Sequence, residues 1–353
     1  MWRLKFKARL RVRWGSVRGH EDQVRALHLA IQAGRLPHAF LFVGPEGIGK
    51  KLFAMTLAQA LMCETNPELK LVPCGTCASC RQVVEGTHPD VLTVEKPEDR
   101  QELPIRSIRD LCASLGLKPM RGHRRVAIVD DADDLSDEAA NAFLKTLEEP
   151  PAGSVLILIG TASELQLPTI LSRCREIRFR PLSTEDLADI LIDEGLSKTR
   201  EDAEHLASHA EGSVSRAMGL ADSVTGPFVR SMIDELANSE VFSPSRFAQR
   251  LETFTNEAGK ESGPKRDRAR LLIGELARFL RGVLWQTAGV ESPSPDPADR
   301  SAIASFANRL EPEDVFLMAD LCLEADDQVR RNANRTLVFE SLSHDLGIIL
   351  AGS

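Results

Sequence analysis

The chain has 353 residues, enough for two or three packed units, and its 42% hydrophobic and 27% charged content is ordinary for a globular protein. A formal net charge of -8 argues against a domain that holds nucleic acid on a dense basic surface of its own. No apolar run approaches the roughly 20 residues that span a bilayer, and the basic N-terminus lacks the apolar stretch of a secretory signal, so a cytoplasmic protein with no membrane partner is expected. Its seven cysteines are then read as metal or redox chemistry rather than as a disulfide framework.

From Trp2 to Trp14 apolar and basic residues alternate, a period of two that suits a strand with one charged face; lying ahead of the recognisable core, the stretch reads equally as a disordered arm or the product of an upstream translation start. Residues 1–18 are therefore set apart as a basic extension. The spacing of Val24, Leu27, Ala30 and Ile31 predicts a helix. Short apolar runs at Ala39–Val43, Val126–Val129 and Val155–Ile159 predict buried strands, and the helical stretches between them predict an α/β fold with a parallel sheet covered on both faces. After Phe179-Arg180-Pro181 the sheet-like runs stop. Ser183-Thr184-Glu185-Asp186 reads as a helix cap, opening a small helical unit over 182–224. The remainder, 225–353, is helical in pattern, with two expected loops at Glu257 to Arg268 and Glu291 to Arg300.

Chemistry concentrates in the first half. Gly44-Pro45-Glu46-Gly47-Ile48-Gly49-Lys50 fits G-x-x-x-x-G-K between a predicted strand and a predicted helix. Glycines let backbone N–H groups converge on phosphates at a helix N-terminus, and Lys50 would reach the terminal phosphates. The bland alternative is a tight turn with no nucleotide. Lys51 stands where Ser or Thr supplies the magnesium-binding hydroxyl, which argues against retained ATP hydrolysis. The strand at Val126 ends in Asp130-Asp131, placing a carboxylate where magnesium is held, although such acids also occur as an exposed strand-end cluster.

Cys63, Cys74, Cys77 and Cys80 form C-x10-C-x2-C-x2-C, and four thiolates of one short loop can close a tetrahedron around a structural zinc. A redox-active C-x-x-C pair is the competing reading, but it needs only two cysteines and a thioredoxin-like frame. Cys112, Cys174 and Cys322 are isolated and read as small core residues. In Ser172-Arg173-Cys174, Arg173 lies on a turn after a strand whose tip carries Thr161. There its planar fork could meet a phosphate of a neighbouring subunit or merely form a surface ion pair.

Gly19-His20, Leu36-Pro37-His38-Ala39-Phe40-Leu41-Phe42, the four-cysteine insertion, Asn141-Ala142-Phe143-Leu144-Lys145-Thr146-Leu147-Glu148-Glu149-Pro150-Pro151 and Ser172-Arg173-Cys174 occur in one order. Together they resemble the bacterial clamp-loader family of AAA+ proteins, from Gly19 to nearly the end of the chain. The resemblance implies an AAA+ core over 19–181 with a zinc module at 63–80, a helical lid over 182–224 and an all-α collar over 225–353 that oligomerises in a ring. It makes Arg173 a finger acting in trans, Thr161 a sensor-1 position and Arg216, in Gly212-Ser213-Val214-Ser215-Arg216, a sensor-2 position. The nucleotide set is then Gly44, Gly47, Gly49, Lys50, Lys51, Asp130, Asp131, Thr161 and Arg216.

Family members that hydrolyse ATP keep Ser or Thr after the loop lysine and Glu after the strand-end aspartate. Lys51 and Asp131 keep neither, and Asp131 is a methylene short of reaching an attacking water. A delta-prime-type subunit follows, with ATP or ADP bound weakly or not at all and no polymerase activity of its own. It would act in the DNA polymerase III holoenzyme with gamma/tau and delta subunits, and meet the sliding clamp and primed DNA through that complex. The alternatives are an ATP-hydrolysing gamma/tau subunit or another AAA+ motor, and a zinc-ribbon DNA-binding regulator, which the acidic balance disfavours.

Overall fold

In a computed structural model the chain is described at Trp14, 17–97, Arg100, 102–237, 242–290 and 297–352. The expected basic strand lies outside the described residues except for Trp14. That indole packs edge-on against Phe53 at 5.0 Å and donates to the Leu71 carbonyl. The described residues divide into two compact units. One runs to Asp186 and takes in Gly212–Val214; the other comprises Leu187–Glu211 and everything from Ser215 on.

The first unit is a parallel α/β sheet. Its helices are α1 (Glu21–Gln32), α2 (Lys50–Leu61), α3 (Ala78–Glu85), α4 (Ile105–Leu115), α5 (Asp137–Glu148) and the single turn α6 (Pro168–Leu171). Its strands are β1 (Ala39–Val43), β2 (Val91–Val94), β3 (Arg125–Val129), β4 (Ser154–Ile159) and β5 (Arg175–Arg178), side by side in the order β2-β3-β4-β1-β5. The three expected strands occupy the middle and are buried throughout, which is why they read as unbroken apolar runs. Strand alternation sends Phe40 and Phe42 to one face with Phe53, Leu57 and Phe179. Leu41 and Val43 go to the other, with Leu111, Phe143 and Leu147.

Two strands escaped the pattern. β2 and β5 are the edges of the sheet, only partly buried, and β5 reads Arg-Glu-Ile-Arg, so neither carries the continuous apolar signal of a strand covered on both faces.

The second unit is helical: α7 (Thr184–Asp193, whose first turn belongs to the sheet unit), α8 (Arg200–His209), α9 (Val214–Leu220), α10 (Thr225–Ala237), α11 (Pro244–Asn256), α12 (Ser262–Thr287), α13 (Pro297–Ala307), α14 (Pro312–Arg330) and α15 (Arg335–Gly352). Its core joins Leu272, Leu276 and Leu280 of α12 to Met318 and Cys322 of α14, and Phe247 and Leu251 of α11 to Phe339 and Leu342 of α15. The loop expected over 257–268 is shorter than that, because α12 starts at Ser262 and its polar first turns share a loop's composition. Of the second expected loop, 291–296 lie outside the described residues, and 297–300 are already helix.

Candidate nucleotide site and cysteine cluster

Gly44 leaves β1 with φ +152°, and a Cβ there would sit 2.4 Å from the Phe179 carbonyl oxygen, so only glycine fits this approach. Gly49 caps α2 at φ 100° without a side-chain bond to the helix amides. The carbonyls of the loop are engaged one after another. Lys50 Nζ donates to Gly44 O at 2.5 Å and Pro45 O at 2.6 Å, Ser213 Oγ to Glu46 O at 3.0 Å, and Val214 N to Gly47 O at 2.9 Å. His20 Nε2 pairs with Ile48 O at 2.8 Å. With its acceptors tied up, the loop offers amides and the start of a helix, the arrangement that favours an anion. Burial lowers the pKa of Lys50, against the opposing pull of Glu46 and Asp130.

Lys51 does something the sequence did not foretell. Its Nζ lies 2.9 Å from Asp130 Oδ2 and 2.5 Å from Glu95 Oε2. Burial works against this ammonium, but Asp130 and Glu95 outweigh it and the pKa is raised. The other Asp130 oxygen, Oδ1, accepts the Asp131 N–H at 3.2 Å. Magnesium, which the nucleotide of such a loop ordinarily brings, does not fit these residues: the hydroxyl is absent and a resident cation already neutralises Asp130. Glu95 follows β2, and only the pairing of β2 with β3 brings it to Asp130.

Asp131 adopts φ 55° and its carboxyl is pushed up to about 6, by desolvation and then by Asp130. The residue is exposed, so solvent relieves the desolvation and also screens the repulsion from Asp130 and Asp134, and the shift is smaller than for a buried acid while its upward direction stands. Thr161 sits just past β4, and Asp133 holds it: Oδ2 accepts both the Thr161 N–H and hydroxyl at 2.6 Å, while Oδ1 accepts Gln166 Nε2 at 2.6 Å. Asp133, like Glu95, was not singled out from sequence.

Arg216 belongs to the helical unit, where its Nε meets Glu275 Oε1 at 2.7 Å and its Nη1 meets Glu211 Oε2 at 3.1 Å. Arg173, just past α6, donates through Nη1 to Thr169 O at 2.8 Å and through Nη2 to Glu148 Oε1 at 2.5 Å. It lines an open depression of about 480 Å³ with His38, Leu147, Glu148 and Ser172.

Cys63, Cys74, Cys77 and Cys80 bring their sulfurs within 4.8 Å of one another, so the four cysteines could hold a metal ion. Backbone amides point at the sulfurs: Asn66 N and Cys74 N lie 3.3 and 3.4 Å from Cys63 Sγ, Cys77 N lies 3.3 Å from Cys74 Sγ, and Cys80 N lies 3.4 Å from Cys77 Sγ. N–H donors favour thiolate over thiol, the form that binds metal. The Thr65 hydroxyl and the Thr76 amide pull Cys74 down to about 5, whereas burial pushes Cys80 up. Cys322 is buried, and burial pushes both it and the half-buried Cys174 up to about 12; with the half-buried Cys112 they stand apart from the cluster.

A family model described as DNA polymerase III, delta subunit, matches residues 19–183. The chain is 32% identical over 291 residues to the DNA polymerase III subunit tau of Escherichia coli, covering 79% of this chain and 42% of that one. To the DNA polymerase III subunit delta' of Bacillus subtilis it is 33% identical over 175 residues, covering 49% of this chain and 51% of that one. A solved DNA polymerase III gamma subunit-related protein of Thermotoga maritima aligns with 18% identity and a TM-score of 0.44 over 92% of this chain and 99% of that one. The chain thus spans about half or less of the length of these two curated relatives. The matched segment contains the glycine-rich loop, the cysteine cluster and the Ser-Arg-Cys turn, and the relatives are named as subunits of DNA polymerase III: the chain belongs to the bacterial clamp-loader subunit family.

Proposed function

We propose that the chain is a delta-prime-type clamp-loader subunit, a cytoplasmic AAA+ protein that does not itself turn over ATP and presents Arg173 to the nucleotide of an adjacent gamma/tau subunit. The observation that carries this is the Lys51–Asp130 pair, which fills the place where a working site shares its aspartate with magnesium. Asp131, one methylene short of glutamate, removes the reach to an attacking water. Arg173 remains at the surface with its planar fork, held by Glu148 and Thr169. Moving it to a phosphate exchanges one charge-assisted pair for another. In this reading the helical unit supplies both lid and ring-forming collar, the cysteines hold a structural zinc, and the assembly with gamma/tau and delta places the sliding clamp on primed DNA.

The test uses the complex reconstituted with gamma/tau and delta. Arg173→Ala is expected to leave assembly on gel filtration and metal content unchanged, and to lower DNA-stimulated ATP turnover and clamp loading. A finger of this kind can contribute about 10³-fold, partly masked by the other sites of a ring. Undiminished clamp loading by fully assembled variant complexes overturns the role. A gamma/tau-type motor is the second reading, favoured by the longer match to tau; ATP turnover by the chain alone on the order of 1 per second would support it instead.

A further inference from the structure

The loop and the strand ends disagree about what the site is for. The loop keeps the features that favour phosphate: a left-handed glycine at the head of α2, no side chain capping that helix, and carbonyls hydrogen-bonded by Lys50, Ser213 and Val214 so that the amides are what it offers. The strand ends lack a place for the divalent cation. Asp130 has one oxygen on the Asp131 amide and the other on Lys51, and Glu95 closes on the same ammonium from β2. A mere loss of function requires only that the hydroxyl disappear. Here the substituted side chain is a cation gripped by two carboxylates beside the phosphate loop.

We infer that Lys51 replaces the metal, so that the loop takes the diphosphate of a nucleoside di- or triphosphate without a divalent cation. Asp130 and Glu95 would repel a polyphosphate if bare, and an ammonium salt-bridged to both cancels one of their two charges. Unlike magnesium, an ammonium demands no octahedral shell and brings no ordered waters, so the site binds without poising water for attack. The inference does not rest on Arg173, and it concerns binding by the chain itself rather than turnover in the ring.

Fluorescently labelled ADP is titrated into the purified chain in buffer with millimolar magnesium and in buffer freed of divalent cations over a chelating resin. Added EDTA is avoided because it could strip the cysteine cluster, whose metal content is checked in both arms. Wild type is expected to bind with the same Kd, within about two-fold, in both buffers. Lys51→Thr, which restores the hydroxyl and frees Asp130, is expected to bind at least about ten-fold tighter with magnesium than without. Lys51→Met, which keeps the stem and removes the charge, is expected to weaken metal-free binding by about ten-fold or more with unchanged circular dichroism. Wild-type binding that strengthens about ten-fold with magnesium overturns the inference. So does the absence of binding in both buffers, in which case the ammonium only closes the site. ATP turnover, measured separately, bears on the proposed function and not on this point.

Discussion

Asp131 couples backbone and charge at one position. Its φ of 55° is tolerated by Asp and Asn better than by other side chains, and its carboxyl titrates at about 6 rather than near 3.8. A raised acid binds its proton more tightly in the folded chain than in the unfolded one. Its ionisation therefore takes stability away as pH rises from about 4 through about 6. Asp131→Asn keeps the left-handed preference and removes the charge. We expect it to stabilise the fold at pH 7 by at most about 1 kcal/mol after discounting for solvent at this exposed position, read as a higher thermal midpoint, and to gain less at pH 4. An equal gain at both pH values would mean that the carboxyl ionises normally. The neighbouring Asp133 shows what sequence reading could not supply: it sits in the same acidic run, but only the fold turns it onto the Thr161 amide and hydroxyl.

At the scale of elements, α3 begins inside the cysteine cluster. Cys77 is its N-cap and accepts the Cys80 N–H through sulfur, so one residue serves both the helix and any metal. Serine is a good N-cap but a poor partner for a thiolate-bound metal. Cys77→Ser thus separates the two roles: we expect the metal to fall from about one equivalent toward none and the cluster region to lose its protection from hydrogen exchange. Wild-type protein holding no metal when purified under reducing conditions would eliminate the zinc reading. The cluster was legible because its spacing is local. β1, β3 and β4 were legible because they are buried on both sides; β2 and β5, being edges, were not. Glu95 was illegible for the same reason, since its meeting with Lys51 depends on β2 lying beside β3. The polar first turns of α12 misled in the opposite direction, because solvent-facing helix and loop share a composition.

For the whole molecule, the division into units changes what one motif means. Gly212-Ser213-Val214 belongs with the sheet, whereas Arg216, two residues later, belongs with the helices. The Glu275 carboxylate is 1% exposed and receives Arg216 at 2.7 Å and Arg278 at 2.9 Å. Arg216→Ala removes one partner of a buried charge, so we expect a loss of about 2–4 kcal/mol in denaturant unfolding with no nucleotide present. A role confined to sensing phosphate predicts no loss under those conditions, and an unchanged midpoint would favour it. Among the described residues no helix is long and apolar enough to cross a membrane.

The return of Gly212–Val214 to the sheet unit bears on how such a chain can be inherited. Among the described residues the backbone crosses the boundary between its units three times, after Asp186, after Glu211 and after Val214. Leu182 N donates to Gly212 O at 3.2 Å, and a Cβ on Gly212 would lie 2.5 Å from Leu182 N, so the returning segment is threaded tightly against the place where the sheet unit first ends. A gene fusion made at a single codon near 186 would carry off the sheet without Ser213 and Val214, which bond to the Glu46 and Gly47 carbonyls. An exchange that keeps the sheet unit whole therefore has to extend through Val214, past the end of α8.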